Sequence, residues 1–258
     1  MKSDLSLITV QRHEGFAIVA LNRPERRNAL VPELLAEFDR VMGELDDDPE
    51  IAVVVLTGNG TDFCVGLDVA VLKERGSEPF VPFNPAETIS RWKGPVIAAI
   101  NGFAVTGGFE ITLACDIILA ADDAIFIDTH SRVGLLPGWG LGVRLHQAIG
   151  IYRAKEIEFT GRRLPAVEAA EWGMVNRVVP AAQLLEVASD MARAIVAGAP
   201  GLPWEMKSII DRCSHLPTGE ALQLERSIRD ERADRARTPL LFKHMGGSRA
   251  ADGSGKDQ

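Results

Sequence analysis

Cysteine is scarce: Cys64, Cys115 and Cys213 are the whole complement. They are odd in number and widely spaced, with no C-x-x-C pair, which argues against a disulfide framework and against a cysteine-rich zinc cluster. A reducing, cytoplasmic setting is the expectation. Positive charge is also in deficit, with 28 Lys and Arg against 36 Asp and Glu and a net charge of -8. That balance argues against unassisted binding of nucleic acid or of an anionic membrane surface. A small polyanion stays open as a ligand, because backbone donors and a few arginines act locally. No uncharged apolar run reaches the roughly 20 residues that a bilayer-spanning helix needs. "MKSDLSLITV" lacks a long apolar core and a cleavage-type ending, so no signal peptide is expected. There is no internal repeat and no extended low-complexity tract. What is plentiful is apolar content, 46% of 258 residues. That is enough to bury a full core in one large domain, or in one domain with an appendage.

The patterning places strands first. "LSLITVQRHEGFAIVALN" reads as two short strands joined at "HEG". "VPELLAEFDRVMGELDDD" carries Leu34, Leu35, Phe38, Val41, Met42 and Leu45 at helical spacing, with Pro32 in the first turn. "IAVVVLTG" and "PVIAAING" are continuous β-branched runs of the kind covered on both faces of a sheet. Between them, "VLKERGSEPFVPFNPAETIS" predicts a mobile loop and then a short helix. "IILAADDAIFIDTH" predicts two strands broken at "ADD". Strands alternating with helices point to an α/β domain. From about Gly140 the pattern is mainly helical, with a break at "GAPGLP" and a longer helical tract after it. The polar, Gly-rich "GGSRAADGSGKDQ" predicts disorder.

"NGFAVTGGFE" carries the chemistry. Gly107 and Gly108 stand where a loop becomes a helix, a place where backbone N–H groups lack partners and the aligned dipoles favour negative charge. Glycine lets another atom approach that backbone. An oxyanion beside Gly107 is therefore a candidate acceptor for its N–H. Glu110 lies one helical turn on, within reach of the same ligand. The plainer reading is that the glycines only allow tight packing and that Glu110 caps the helix. A second glycine-bearing turn, "GNGTDFCVGLDVAVL", also leads into a helix, and Leu67 after Gly66 offers a second N–H. Two donors on one carbonyl oxygen make an oxyanion hole, which suits thioester chemistry because charge collects there when an enolate forms.

"LNRPERRNAL", "FCVGLDV", "PVIAAINGFAVTGGFEITLACDIILA", "GLLPGWGLGVRL" and "FTGRRLPAVEAAEWGMVNRVVP" run in this order from about Leu7 to about Pro180. Together they resemble the crotonase superfamily, the enoyl-CoA hydratase/isomerase family. The resemblance implies an α/β fold, a crotonase-type spiral of ββα units with a helical C-terminal oligomerisation region. It divides the chain into an acyl-CoA-binding core (1–199), a helical trimerisation region (200–245) and a tail (246–258). It implies an acyl-CoA thioester as substrate, its carbonyl between the N–H groups of Leu67 and Gly107, with Gly66 framing the turn. The pantetheine passes near Leu67 and the adenine end near Asp68 and Val69. Arg26 and Arg27 are candidates for the CoA phosphates, the alternative being a solvated basic turn. Coenzyme A enters only as part of the substrate; no metal and no further cofactor is implied. Homotrimers, often paired into hexamers, are implied as well.

One departure limits the functional reading. Where two-glutamate hydratases of the family carry their second glutamate, the register between Cys115-Asp116 and Pro137-Gly138 puts His130. An imidazole titrates near neutral pH and suits proton exchange, but it is cationic when protonated, unlike a carboxyl group. Two roles stand for His130, catalytic partner and pocket lining. If "AIFIDTH" is extended, Phe126, Asp128 and His130 share a face, and Asp128 is placed to fix the imidazole tautomer; a solvent-facing aspartate is the plainer alternative. Trp139 in "PGWG" is read as facing the acyl pocket, core filling being the alternative, and Leu141, at a place where glycine is common in the family, implies a reshaped pocket. Phe242 and Lys243 are a further CoA contact to weigh. The leading expectation is a hydratase-like lyase that adds water across the 2,3 double bond of an enoyl-CoA. The alternatives are an isomerase using Glu110 as single base, an acyl-CoA decarboxylase or hydrolase, and a non-catalytic acyl-CoA-binding protein.

Overall fold

A computed structural model describes residues 6–235. The predicted tail over 246–258, together with Phe242 and Lys243, lies outside the described residues. Among the described residues nine strands follow in chain order: β1 (Ile8–His13), β2 (Phe16–Leu21), β3 (Val53–Gly58), β4 (Val96–Ile100), β5 (Phe103–Val105), β6 (Ile117–Ala121), β7 (Ile125–Ile127), β8 (Leu164–Pro165) and β9 (Arg177–Val179). Six of them form one sheet in the order β1-β2-β3-β4-β6-β9. Only the β1–β2 pair is antiparallel; every other neighbour in that sheet is parallel. The β-branched runs of β2, β3 and β4 are buried along their whole length, as a parallel sheet covered on both faces requires. β1 is largely exposed beyond Ile8 and closes the edge. A smaller sheet, β5-β7-β8, lies beside it.

The helices of the first unit follow the same logic. α1 (Pro32–Asp46) starts on Pro32 and buries the predicted stripe from Leu34 to Leu45. α2 (Val69–Arg75) and α3 (Pro85–Arg91) come next, so the segment expected as a loop begins with two helical turns. Asp68 supports α2 by accepting from the N–H of Ala70 and Val71. α4 (Gly107–Ala114) is buried at every residue and has no polar face, which makes it a central helix rather than a surface one. α5 (His130–Val133), α6 (Leu141–Ile149), α7 (Ile151–Thr160) and α8 (Ala166–Glu171) follow, then α9 (Leu184–Val196), which lies against β2, β3, β4 and β6. Two ββα units are plain in this order: β4-β5-α4 and β6-β7-α5.

The chain divides into two compact units at Glu205–Met206. α10 (Leu202–Cys213) runs across that point and α11 (Thr218–Arg235) belongs to the second unit. The helical tract expected after "GAPGLP" consists, over its described part, of two helices separated at Pro217, a residue that cannot donate to a continuing helix. Two short strands, β8 and β9, also interrupt the region read as helical.

Candidate active site

The pairing of three chain segments brings two unpaired amides together. Leu30 bridges Leu67 in parallel fashion: the Leu30 N–H donates to Gly66 O at 2.8 Å, and the Asp68 N–H donates to Leu30 O at 2.8 Å. The Leu67 N–H is thereby turned away from this ladder, and it has no acceptor among the described residues. Cys64 in turn bridges Ala104, which lays the 64–67 segment alongside the approach to α4. Gly107 is the first residue of that helix, and its N–H also has no acceptor among the described residues. The two turns nearly touch. Gly66 has φ +84°, and a Cβ there would stand 2.9 Å from Val105 O and 3.5 Å from the Gly107 nitrogen. Only glycine permits that approach.

Glu110 projects from the first turn of α4 and is 3% exposed. One oxygen is anchored: Oε1 accepts from the Trp139 N–H at 2.8 Å and from the Leu141 N–H at 3.3 Å. Leu141 is the first residue of α6, so the carboxylate satisfies an orphan donor at that helix start. Glu110 thus does cap a helix, although a different one from its own. The other oxygen, Oε2, lies 3.9 Å from His130 Nε2. Burial pushes the Glu110 carboxyl above its ordinary range, and the Trp139 N–H, the His130 charge and the Leu141 N–H only partly offset it.

His130 and Asp128 form the other half. β7 ends at Ile127 and His130 opens the short α5, so the stretch expected to be extended as far as His130 turns before it. The shared face survives the turn: Phe126, Asp128 and His130 are all buried. Asp128 is 1% exposed, which corrects the solvent-facing reading. Its Oδ1 accepts from the His130 N–H at 3.0 Å and sits 2.7 Å from His130 Nδ1. Nδ1 is then the donor to Asp128, and Nε2 is the nitrogen left facing Glu110. Burial pulls the imidazole pKa down, but the Asp128 hydrogen bond and the charges of Asp128, Glu110 and Glu158 overcome it and hold the group above its ordinary value.

The remaining predicted residues divide. A Cβ on Gly107 would stand 2.9 Å from Trp139 Cζ3 and 3.3 Å from Leu30 Cδ1, so the indole edge and Leu30 wall the Gly107 side. The Arg144 guanidinium donates to Trp139 O at 2.8 Å and fixes that loop from behind. Arg26 is exposed and has no ion-pair partner among the described residues. Arg27 grips the buried Asp62 through Nε at 2.7 Å and Nη2 at 2.9 Å. Asp68 is occupied as the α2 cap and pairs with Arg23 at 3.2 Å, while Val69 is exposed. Sequence reasoning missed Arg23, Asn28 and Asp62. Asn28 is wholly buried and ties the Arg23 N–H to the carbonyls of Asn59 and Asp62. Its one signal was a polar residue inside the "RPERRNAL" turn.

Comparison with known proteins places the chain in a family. The profile described as enoyl-CoA hydratase/isomerase matches residues 11–238. An Arabidopsis thaliana protein described as probable enoyl-CoA hydratase 1, peroxisomal, is 37% identical over 224 residues, 86% of this chain and 84% of its own length. A Clostridium acetobutylicum protein described as short-chain-enoyl-CoA hydratase is 35% identical over 228 residues, 86% and 87% of the two chains. A crystal structure of enoyl-CoA hydratase from Bacillus anthracis superposes with a TM-score of 0.87 at 32% identity, covering 93% of this chain and 94% of that one. With the family profile matched over most of the chain and relatives above 30% identity covered nearly end to end, this protein belongs to the enoyl-CoA hydratase/isomerase family.

Proposed function

We propose that the chain is an enoyl-CoA hydratase that adds water across the 2,3 double bond of an acyl-CoA thioester. The observation that carries this reading is the Glu110–His130 pair, 3.9 Å apart beside two unpaired amides. The Leu67 and Gly107 N–H groups hold the thioester oxygen and stabilise the charge it gains. Glu110 Oε2 takes a proton from water as the hydroxyl oxygen bonds to C3. The π electrons move through C2 to the thioester oxygen, giving an enolate. His130, held as an imidazolium by Asp128, delivers its Nε2 proton to C2 as the carbonyl re-forms. Glu110 then carries one proton too many and His130 one too few, and transfer across the gap between them restores both. The raised pKa of each group suits it to this exchange near neutral pH.

Arg26 supplies an unengaged cation for the CoA phosphates. Arg27 contributes through Nη1, the nitrogen it does not spend on Asp62. Asp68 and Val69 stand at the mouth of the Leu67 turn, where the adenine end would lie. Coenzyme A is part of the substrate and no further cofactor enters the reaction. We place the enzyme in the cytoplasm on the strength of its few, widely spaced cysteines. Among the described residues, no helix is long and apolar enough to cross a membrane. A homotrimer or homohexamer fits the apolar side chains left exposed on α5 to α7 and the loop between them, among them Leu136 at 90% and Tyr152 at 86%.

The test is loss of the conjugated enoyl-thioester absorbance across a panel from crotonyl-CoA to longer chains. The wild type is expected to hydrate at least one member, and Glu110→Gln to lose about 10²- to 10⁴-fold in kcat. Absence of hydration at every chain length would overturn the reading. Deuterium uptake at C2 without water addition would point to the isomerase instead, and tight binding indifferent to Glu110→Gln without turnover to a binding protein.

A further inference from the structure

Thr106 adopts φ 51° and ψ -104°, a region that β-branched residues avoid because Cβ crowds the neighbouring peptide. It directly precedes Gly107. Backbone strain of this kind persists only where the surroundings over-determine it. Here they do. The Thr106 N–H donates to Ile127 O at 2.8 Å, and Thr106 O accepts from the Glu110 N–H at 2.9 Å. Its hydroxyl lies 2.5 Å from that of Thr129, and the Thr129 N–H donates to the same Thr106 Oγ1 at 3.1 Å. Thr129 directly precedes His130.

β5 and β7 run parallel with Val105 opposite Ile127, the last backbone pair before each strand turns into its helix. Just beyond that pair, the Thr106 and Thr129 side chains join the two strand ends in a rung of their own, Thr129 standing one residue past the strand register. On one side of the rung begins the helix bearing the Gly107 amide and Glu110. On the other begins the helix bearing His130. We infer that the Thr106–Thr129 rung is a positioning device that fixes the oxyanion-binding amide relative to His130. Neither threonine touches the reacting atoms in this account; each acts through its neighbour. The inference rests on the hydratase reading for its catalytic consequence, but the mechanical link stands or falls by itself.

A merely structural threonine and a positioning one respond differently to the same changes. Thr106→Gly relieves the backbone at φ 51° and removes the hydroxyl. Thr106→Ser keeps the hydroxyl. Thr129→Val keeps the shape and removes the other half of the rung. If the rung positions the site, Thr106→Gly folds at least as stably as the wild type. It loses about tenfold to hundredfold in kcat, the scale expected when reacting groups are misplaced by up to an ångström. KM stays within about threefold, since the outer CoA contacts are untouched. Thr129→Val follows it in direction, and Thr106→Ser restores kcat to within about threefold of wild type. Full activity in Thr106→Gly would overturn the inference.

The independent measurement is amide hydrogen exchange in the unliganded protein. Thr106→Gly is expected to lose protection in residues 128–133 as well as in 103–110, and Thr106→Ser to keep both. Unchanged exchange over 128–133 in both Thr106→Gly and Thr129→Val would overturn the link whatever the activity. If the wild type hydrates no enoyl-CoA, the functional reading fails, and the exchange result alone decides whether the two turns are coupled.

Discussion

Replacing Asp128 by Asn isolates the charge that readies His130. The amide oxygen can still accept from the His130 N–H and from Nδ1, as the carboxylate Oδ1 does at 3.0 and 2.7 Å, so the ring keeps its place. What is lost is the negative charge. A hydrogen bond to a charged group is worth roughly 1.5–3 kcal/mol against roughly 0.5–1.5 for a neutral one, a difference of about 1–1.5 kcal/mol, and each ~1.4 kcal/mol is tenfold in an equilibrium. The imidazolium should therefore hold its proton less tightly by a factor on the order of ten. His130 is raised above its ordinary pKa in the folded protein and acts as the acid, so hydration falls as pH rises through that raised value. In Asp128→Asn the burial that pulls the group down acts with less opposition, and the alkaline limb moves to lower pH. The acid limb, set by Glu110, moves little and also downward, because Asp128 is the weakest cause raising Glu110. Stability follows the same sign. The wild type gains stability from His130 below the ordinary imidazole pKa and loses it as pH rises through the raised one, and the variant should show less of that slope. The assay is kcat/KM for crotonyl-CoA measured from acid to alkaline pH. A variant profile that overlays the wild type, or an alkaline limb moved upward, would refute the role given to Asp128.

Trp139→Ala removes the indole edge from the Gly107 side while leaving the backbone N–H that binds Glu110. Relative kcat/KM for long over short enoyl-CoA substrates should rise by at least about tenfold, the scale of one or two methylenes of apolar contact, and an unchanged chain-length profile would contradict the placement of Trp139 on the acyl pocket. Gly108→Ala should destabilise by about 1–3 kcal/mol or more, because its Cβ would collide with the Cys64 carbonyl oxygen and stand 2.8 Å from Cys64 Cβ. In a chain of this size that is a fall of roughly 2–12 °C in the thermal midpoint, and an unaltered midpoint would show that the α4 start packs less tightly on Cys64 than described.

The parts of this architecture that were legible from sequence are those whose cause is local. The stripe from Leu34 to Leu45, the buried runs of β3 and β4, and the Gly107–Glu110 helix start each follow from residues within one or two turns of one another. The Glu110 position and the two candidate amides were readable for the same reason. What escaped was set by distant partners or by depth. Alternation put Asp128 on the face of Phe126 and His130, but only the packed structure shows that this face is inside. Arg27 looked like a free cation because its partner, Asp62, lies 35 residues away. The Thr106 conformation was invisible, since nothing in "AVTGG" shows that the threonine rather than a glycine takes the positive φ. β9, three residues of "RVV", is too short to stand out by period, and joins the sheet only because β6 offers an edge.

The central claim is tested most directly by the crystal structure of the protein with a non-reactive enoyl-CoA analogue bound. The account predicts the thioester oxygen about 3 Å from both the Leu67 and Gly107 nitrogens, with Glu110 Oε2 and His130 Nε2 flanking C2 and C3. A thioester oxygen bound away from these two amides, or Glu110 and His130 turned from the double bond, would contradict it.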